Sequence, residues 1–158
     1  MSITHLRDQY ILSDEERTLR EASALVDRQA KKQHRHIAEV GGSDSHGAWL
    51  RATTFVLAKE RSREAIHDAL VEGRTCVRSP EACTLEVAAE TGEWHGLGES
   101  VVSNGTVMAR LAVDGVFLVD GAYAAAGRMV TLSVPKGRCV TVRATTGLGW
   151  SSAIYINC

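Results

Sequence analysis

The sequence lacks an excess of charge of either sign. Its 158 residues include 18 basic and 19 acidic side chains, which gives a formal net charge of -1. A broad basic field, which would favour nucleic acid, is absent from the composition, and no acidic tail is present. Charge composition therefore predicts no nucleic-acid partner.

Long apolar runs are also missing. No run approaches the roughly 20 residues that a membrane helix needs, and the start from Met1 to Arg7 lacks the apolar core of a signal peptide. We therefore expect a soluble, cytoplasmic protein without membrane contact. A chain of this length can bury a sizeable core, as one ordinary domain or two small ones.

The cysteines lack the Cys-x-x-Cys spacing of a zinc knuckle or a redox pair. They are scattered along the chain, at Cys76, Cys83, Cys139 and Cys158. Their even number permits disulfides. In a chain without an export signal, however, free thiols are the expectation.

A helix is predicted from Ser13 to His34. It starts with a capping box formed by Ser13 and Glu16, and apolar residues recur at helical spacing, at Leu19, Ala22, Leu25, Val26 and Ala30. His34 and His36 would share a face on a strand and could then bind a metal. At a helix end they diverge, so we interpret them as cationic residues that oppose the helix dipole.

Asp44 and His46 are the candidate metal ligands. They follow Ile37–Gly42, an apolar run ending in glycines that predicts a short buried strand. Residues i and i+2 of an extended chain project from the same face, so this carboxylate and imidazole could bind one divalent cation. The alternative is that Asp44 caps a turn and that His46 is a solvated loop residue.

A second extended segment, Thr53–Ala58, precedes a predicted helix from Ser62 to Glu72. Ser62 can cap that helix, and Gly73 can end it in the left-handed conformation. We expect this helix to pack against the preceding strand. His67 and Asp68 fall off its apolar stripe and are interpreted as solvated.

The rest of the chain is predicted to be β. The expected strands are Thr84–Ala88, Thr106–Val113, Val116–Val119, Met129–Val134, Cys139–Ala144 and Ala153–Asn157. Turn pairs such as Asp114-Gly115 separate them, and Glu93, Trp94 and His95 are placed in a surface loop. Short strands at near-regular spacing indicate a small antiparallel sandwich or barrel, so we divide the chain into residues 1–80 and 81–158.

The order of motifs resembles the C-terminal part of the PHP (polymerase and histidinol phosphatase) superfamily, in particular its carbaryl-hydrolase-like branch. The resemblance is carried by Gly41-Gly42-Ser43-Asp44-Ser45-His46-Gly47, by Thr53-Thr54-Phe55-Val56-Leu57-Ala58, and by the helix that ends in Leu70-Val71-Glu72-Gly73-Arg74. It implies an α+β fold: an N-terminal helix with a truncated PHP-like β/α segment, followed by a small antiparallel β-sandwich-like domain.

The same resemblance implies a metal-dependent hydrolase. In the superfamily, manganese, zinc or iron ions activate a water that attacks a phosphoester or related bond, and the matching Asp and His are ligands, here Asp44 and His46. The other ligands of the family come from upstream segments that are missing here. A working site would therefore be completed by another chain, either in a homo-oligomer or with a complementary barrel-containing chain.

Two other hypotheses remain open. The chain could be a non-catalytic truncated relative that acts as a protein-interaction or oligomerisation module. It could instead be a small-molecule binding protein whose ligand occupies the mouth of the former PHP-like barrel. A chain that lacks half a barrel would expose apolar faces and strand edges. The hydrolase and the module hypotheses therefore both predict association.

Overall fold

The computed structural model describes residues 14–41, 53–147 and 149–158. In these ranges the helices are α1 (Asp14–Gln33), α2 (Arg63–Val71) and a short 3₁₀ helix (Pro80–Thr84). The strands are β1 (Thr54–Val56), β2 (Thr75–Val77), β3 (Glu86–Ala88), β4 (Trp94–His95), β5 (Ser100–Val101), β6 (Thr106–Val119), β7 (Ala122–Ser133), β8 (Val140–Thr146), β9 (Gly149–Ser151) and β10 (Ile154–Ile156). No helix in this part of the chain is long and apolar enough to cross a membrane.

The ten strands form one sheet. Its main path runs β1-β2-β9-β8-β6-β3-β4, while β7 pairs with β6, β10 with β8, and β5 with β10. The pairing of β5 with β10 is parallel and the others are antiparallel. The sheet curls into a half-barrel around the main apolar core.

The predicted fold class, a truncated PHP-like β/α segment followed by a separate β-sandwich-like domain, is wrong. β1 and β2, which that prediction assigned to the β/α segment, pair antiparallel with each other. β2 also pairs with β9, close to the other end of the chain. The backbone groups on the second edge of the buried strand β2 need partners, and β9 supplies them. Strands from both sides of the boundary drawn after residue 80 thus share one sheet.

α2 lies where the sequence predicts a helix. The Ala65 N–H donates to the Ser62 hydroxyl oxygen at 3.1 Å, so Ser62 is the N-cap. Gly73 follows the helix with φ +74°. α2 contacts β1 as expected, although Ala69 is the one residue of the helix that is buried.

The predicted turn at Asp114-Gly115 is wrong, because β6 continues through it with an irregular register. A Cβ on Gly115 would lie 2.6 Å from the Thr145 carbonyl oxygen of β8. Glycine is therefore needed there for the close approach of two strands. The hairpin turn lies at the next Asp-Gly pair, Asp120-Gly121, where φ is +49° and +76°.

β8 is buried on both faces. Val140, Val142 and Ala144 belong to the main apolar core, which also contains Ile154 and Ile156 of β10. The residues that alternate with them, Thr141 and Arg143, are buried on the opposite face, beneath α1. β8 therefore separates an apolar core from a polar layer under the helix.

α1 covers almost the predicted range, but the face it buries matches the predicted apolar stripe only in part. Leu25, part of the predicted apolar stripe, is 52% exposed. Among residues 20–33, the part of the helix whose burial is described, the buried positions are Ser23 and Asp27, which lie outside the stripe, and Ala30, which belongs to it. The sheet surface that receives the helix carries Thr141 and Arg143, whose polar groups need polar partners once water is removed. The predicted cap Ser13 lies outside the described residues.

The segment after α1 does not form the strand predicted at Ile37–Gly42, as far as Gly41, where this described range ends. Hydroxyl side chains of the sheet bind its backbone instead. The Ile37 N–H donates to the Tyr155 hydroxyl at 3.1 Å, and the Glu39 N–H donates to the Ser152 hydroxyl at 2.8 Å. These bonds give backbone N–H groups of the segment partners without a strand ladder.

The cysteines are paired in disulfides, so the expectation of free thiols is wrong. Cys76 bonds to Cys83 with a Cα–Cα distance of 5.2 Å, and Cys139 bonds to Cys158 with a distance of 4.5 Å. The first disulfide closes the turn between β2 and β3. The second joins the residue before β8 to the residue two beyond β10, and the pairing of β8 with β10 brings these cysteines together.

Candidate functional site

The predicted metal ligands, Asp44 and His46, lie outside the described residues. The flanks of their loop are described: the Gly41 N–H donates to the Thr54 hydroxyl at 2.9 Å, and Thr54 opens β1. Both flanks therefore meet at the edge of the sheet. Among the described residues, no group of three or more His, Cys, Asp or Glu side chains is placed to hold a metal ion.

The other histidines that the sequence singled out away from α1 each lie beside a carboxylate. His67 Nδ1 is 3.6 Å from the Asp68 carboxylate, and both side chains are well exposed. His95 Nδ1 is 3.1 Å from the Glu99 carboxylate. His95 belongs to β4, so the loop predicted there is wrong for this residue and for Trp94. Neither pair forms a larger constellation.

The most deeply buried charged pair of the described chain is Asp27 with Arg143, each 1% exposed. Arg143 Nε donates to the two Asp27 oxygens at 3.0 and 3.2 Å. Its Nη1 donates to the Ser151 carbonyl at 3.0 Å and lies 2.9 Å from Glu39. Nη2 also binds Asp27. Each guanidinium nitrogen thus has a protein partner, so this group fixes α1 to the sheet and is not available to a ligand.

The charge of Arg143 is held by its neighbours. Burial alone lowers the pKa of a guanidinium, but the carboxylates of Asp27 and Glu39 outweigh it and raise the pKa of Arg143 above its ordinary value. These carboxylates therefore stabilise the buried cation. The buried cation is stable only while these carboxylates compensate its charge. Removal of one of them should therefore destabilise the fold.

Asp120 extends this polar layer to the surface. Its carboxylate accepts from Lys31 Nζ at 2.7 Å and from the Thr141 N–H at 2.9 Å. The Thr141 hydroxyl lies 2.7 Å from Asp27 and 3.2 Å from Asp120. A hydroxyl has one proton to donate, and the shorter distance assigns it to Asp27. α1 is thus joined to the sheet through both Asp27 and Lys31.

A small cleft of about 100 Å³ lies where α1 ends, and we call it the α1-end cleft. The helix ends at Gln33, and His34 follows it with φ +50°. The next residues turn back over the sheet, so that His36 stacks on Tyr155 with ring centres 4.4 Å apart. The residues that line the cleft include Lys31, His34, Arg35, His36, Ser100 and Cys158. A cluster of basic side chains therefore faces one cysteine of a disulfide.

β7 forms a long edge of the sheet. Within the described chain its 12 residues pair with β6 alone, so its other side carries backbone groups without a strand partner. Most of its side chains are small, and Tyr123 and Met129 are 56% and 62% exposed. Arg128 is the one charged residue of the strand, and it bends back to donate to the Ala112 carbonyl of β6 at 2.7 Å. The edge therefore has little of the charge that usually protects such strands.

Comparison of the chain with protein-family models, curated proteins and solved structures found no match. The resemblance to the PHP superfamily consequently rests on the motif residues alone.

Sequence reasoning missed the Asp27–Arg143 pair and the α1-end cleft. Two signals were present: a carboxylate in the middle of a predicted amphipathic helix, and an arginine within the apolar strand sequence Val140-Thr141-Val142-Arg143-Ala144. Each is ordinarily solvent-facing. Their shared burial arises only when α1 lies across β8.

Proposed function

We propose that this protein is an association module in which β7 pairs with the β7 strand of a second copy. The observation that carries the proposal is the 12-residue edge of β7, which has no second strand partner in the described chain and mostly small side chains. Such an edge is a template for strand addition by another chain. This is the oligomerisation hypothesis that the sequence left open.

A second copy fits this edge because antiparallel pairing about a two-fold axis is self-complementary. With the axis at Ala125, each Arg128 lies opposite the neutral Ala122 of the other copy, and each Tyr123 lies opposite Gly127. An aromatic ring across from a glycine covers the backbone that the glycine leaves open. The formal net charge of -1 produces little long-range repulsion between copies.

The test is the solution mass of the full chain, measured by light scattering over a range of concentrations. In the same register Ala124 lies opposite Ala126, and both are exposed. The variant Ala124→Lys/Ala126→Lys places like charges across the two-fold axis, so we expect a monomer. Mixing it with Ala124→Glu/Ala126→Glu should restore a heterodimer.

The control for this experiment is Ala22→Lys, an equivalent change at an exposed position of α1, which should remain dimeric. A wild-type chain that is monomeric at every concentration would overturn the proposal. So would a dimer that the lysine pair leaves intact.

A metal-dependent hydrolase is a second proposal, supported by the Asp44 and His46 motif and by the hydrogen bond of Gly41 to Thr54 that closes the flanks of their loop. Because two side chains are too few to hold a catalytic ion, further ligands would come from residues outside the described ranges or from another chain. Elemental analysis should find about one equivalent of manganese, zinc or iron, which is lost in Asp44→Ala/His46→Ala. The matched control is His67→Ala/Asp68→Ala. Metal-free wild-type protein would contradict this proposal.

We also propose an oxidising compartment in place of the cytoplasm expected from the sequence. The two disulfides support this, since such bonds persist where thiols are not kept reduced. Protein isolated without reductant from the cells that make it should show no titratable thiol after denaturation. Four thiols per chain would support the cytoplasmic location instead.

A further inference from the structure

The disulfides differ in their access to solvent. Cys76 is fully buried and Cys83 is 9% exposed, and both lie in the main apolar core. Cys139 is partly exposed and Cys158 is exposed, and Cys158 lines the α1-end cleft. Thiol–disulfide exchange requires an attacking thiolate to reach a sulfur atom. Access therefore favours exchange at the Cys139–Cys158 bond, and Cys158 is the more exposed of its two residues.

The surroundings of Cys158 are basic. Lys31, His34, Arg35 and His36 line the same cleft, and no acidic side chain does so among the described residues. Asp120 binds Lys31 at 2.7 Å and thereby offsets part of the Lys31 charge. Arg35 is exposed and always charged, and the two imidazoles add charge when protonated. An anionic group that enters the cleft would thus meet a favourable field.

We infer that the Cys139–Cys158 disulfide is an exchange site at which a low-molecular-weight thiol carrying carboxylates forms a mixed disulfide with Cys158. The carboxylates of the thiol lie against Arg35 and its basic neighbours. There the basic side chains donate charge-assisted hydrogen bonds to the carboxylate oxygens, and such bonds are stronger than those between neutral groups. The basic side chains also attract the approaching thiolate. This site is independent of the β7 edge and of the proposed association.

The exchange conserves both atoms and electrons. The thiolate sulfur of the incoming thiol attacks Cys158 Sγ, the bond between the two cysteines breaks, and Cys139 leaves as a thiolate. The product is a mixed disulfide on Cys158 with no net oxidation. A second thiol of the same class can then attack the mixed disulfide, which releases the oxidised small disulfide and leaves both protein cysteines reduced.

The experiment measures the rate at which the oxidised full-length protein forms a mixed disulfide, by intact mass after acid quenching and by peptide mapping. The probes are glutathione, neutral 2-mercaptoethanol and cationic cysteamine. Each rate is divided by the rate of the same thiol with a neutral reference disulfide, which removes differences in thiol pKa. We expect the normalised rate for glutathione to exceed that for cysteamine on the order of tenfold at low salt.

Two manipulations test the cause of that preference. High salt should reduce it in the unaltered protein, because exposed charges are screened. The variant His34→Asn/Arg35→Gln should lose most of the preference for glutathione over cysteamine. Asparagine is chosen at position 34 because it tolerates the left-handed backbone there. Arg63→Gln, an exposed change on α2, is the control and should keep the preference.

Three outcomes would overturn the inference. The first is equal normalised rates for the three thiols. The second is first modification at Cys76 or Cys83 in place of Cys158. The third is a preference that neither high salt nor the double variant alters.

Discussion

The single Nε–H of Arg143 is shared between the two oxygens of the Asp27 carboxylate, at 3.0 and 3.2 Å, across 116 residues of sequence. Both side chains are 1% exposed. The pair therefore joins the N-terminal helix to a strand that is buried on both faces. Its energetic consequence differs from that of a surface ion pair, because a buried charge left without its partner is strongly unfavourable.

Replacing Asp27 with alanine should destabilise the fold by about 3 kcal/mol or more, because it leaves the Arg143 cation buried beside Glu39 alone. Urea unfolding followed by circular dichroism measures the change. Asp68→Ala, which removes an exposed carboxylate on α2, should stay within about 0.5 kcal/mol of wild type. The double replacement Asp27→Leu/Arg143→Met should be less damaging than Asp27→Ala. A loss below about 1 kcal/mol for Asp27→Ala would contradict the buried pair.

Tyr155 should make the protein sensitive to alkaline pH. Burial raises the pKa of its phenol above the ordinary value of 10.0, although the hydrogen bond from Ile37 opposes this. The unfolded chain therefore ionises first. The stability that this group contributes is present below about pH 10 and is lost as the pH rises through the folded pKa.

The measurement for Tyr155 is the urea midpoint as a function of pH. Tyr155→Phe should lower stability by about 1 kcal/mol at neutral pH, because the Ile37 N–H loses its acceptor. The substitution should also reduce the slope with which the urea midpoint declines above about pH 10. Tyr123→Phe, at a position 56% exposed, is the control and should retain the wild-type slope. Equal slopes in all three proteins would refute the assignment.

Gly98 should tolerate substitution much less well than Gly92, although both have nearly the same backbone conformation, with φ +77° and +79°. A Cβ on Gly98 would collide with the Glu72 carbonyl oxygen, whereas a Cβ on Gly92 meets no atom within 4 Å. Gly92→Ala should therefore cost about 1 kcal/mol for its backbone conformation. Gly98→Ala should cost clearly more in the same unfolding assay, and equal losses would exclude the contact.

Removing the Cys139–Cys158 bond should lower stability by about 3 kcal/mol, because it frees a loop of 19 residues in the unfolded chain. Thermal unfolding of Cys139→Ala/Cys158→Ala under oxidising conditions tests this. A reductant should have a further effect on that variant, since the buried Cys76–Cys83 bond remains. No further effect, even when the reductant is added to the unfolded variant before refolding, would indicate that Cys76 and Cys83 are not bonded.

Local signals in the sequence identify α2 and most of the longer strands. Ser62 and Gly73 bound α2 because capping and left-handed termination depend on a few adjacent residues. Two Asp-Gly pairs carry the same turn signal, however, and only Asp120-Gly121 is a turn. Gly115 is needed because a side chain there would collide with the Thr145 carbonyl oxygen, on a strand some thirty residues later. No local sequence pattern can reveal such a long-range contact. The candidate ligands Asp44 and His46 remain predictions from the sequence, since they lie outside the described residues.

The sequence by itself determined α2 and the extended character of most of β6 and β8, because propensity, caps and periodicity act over a few residues. The tertiary structure decided which strands share a sheet, which cysteines are bonded and which face of α1 is buried. Those outcomes depend on long-range contacts. The helix turned Asp27 inward and left Leu25 exposed because the surface beneath it carries the buried cation Arg143, and a carboxylate compensates that charge where a leucine cannot.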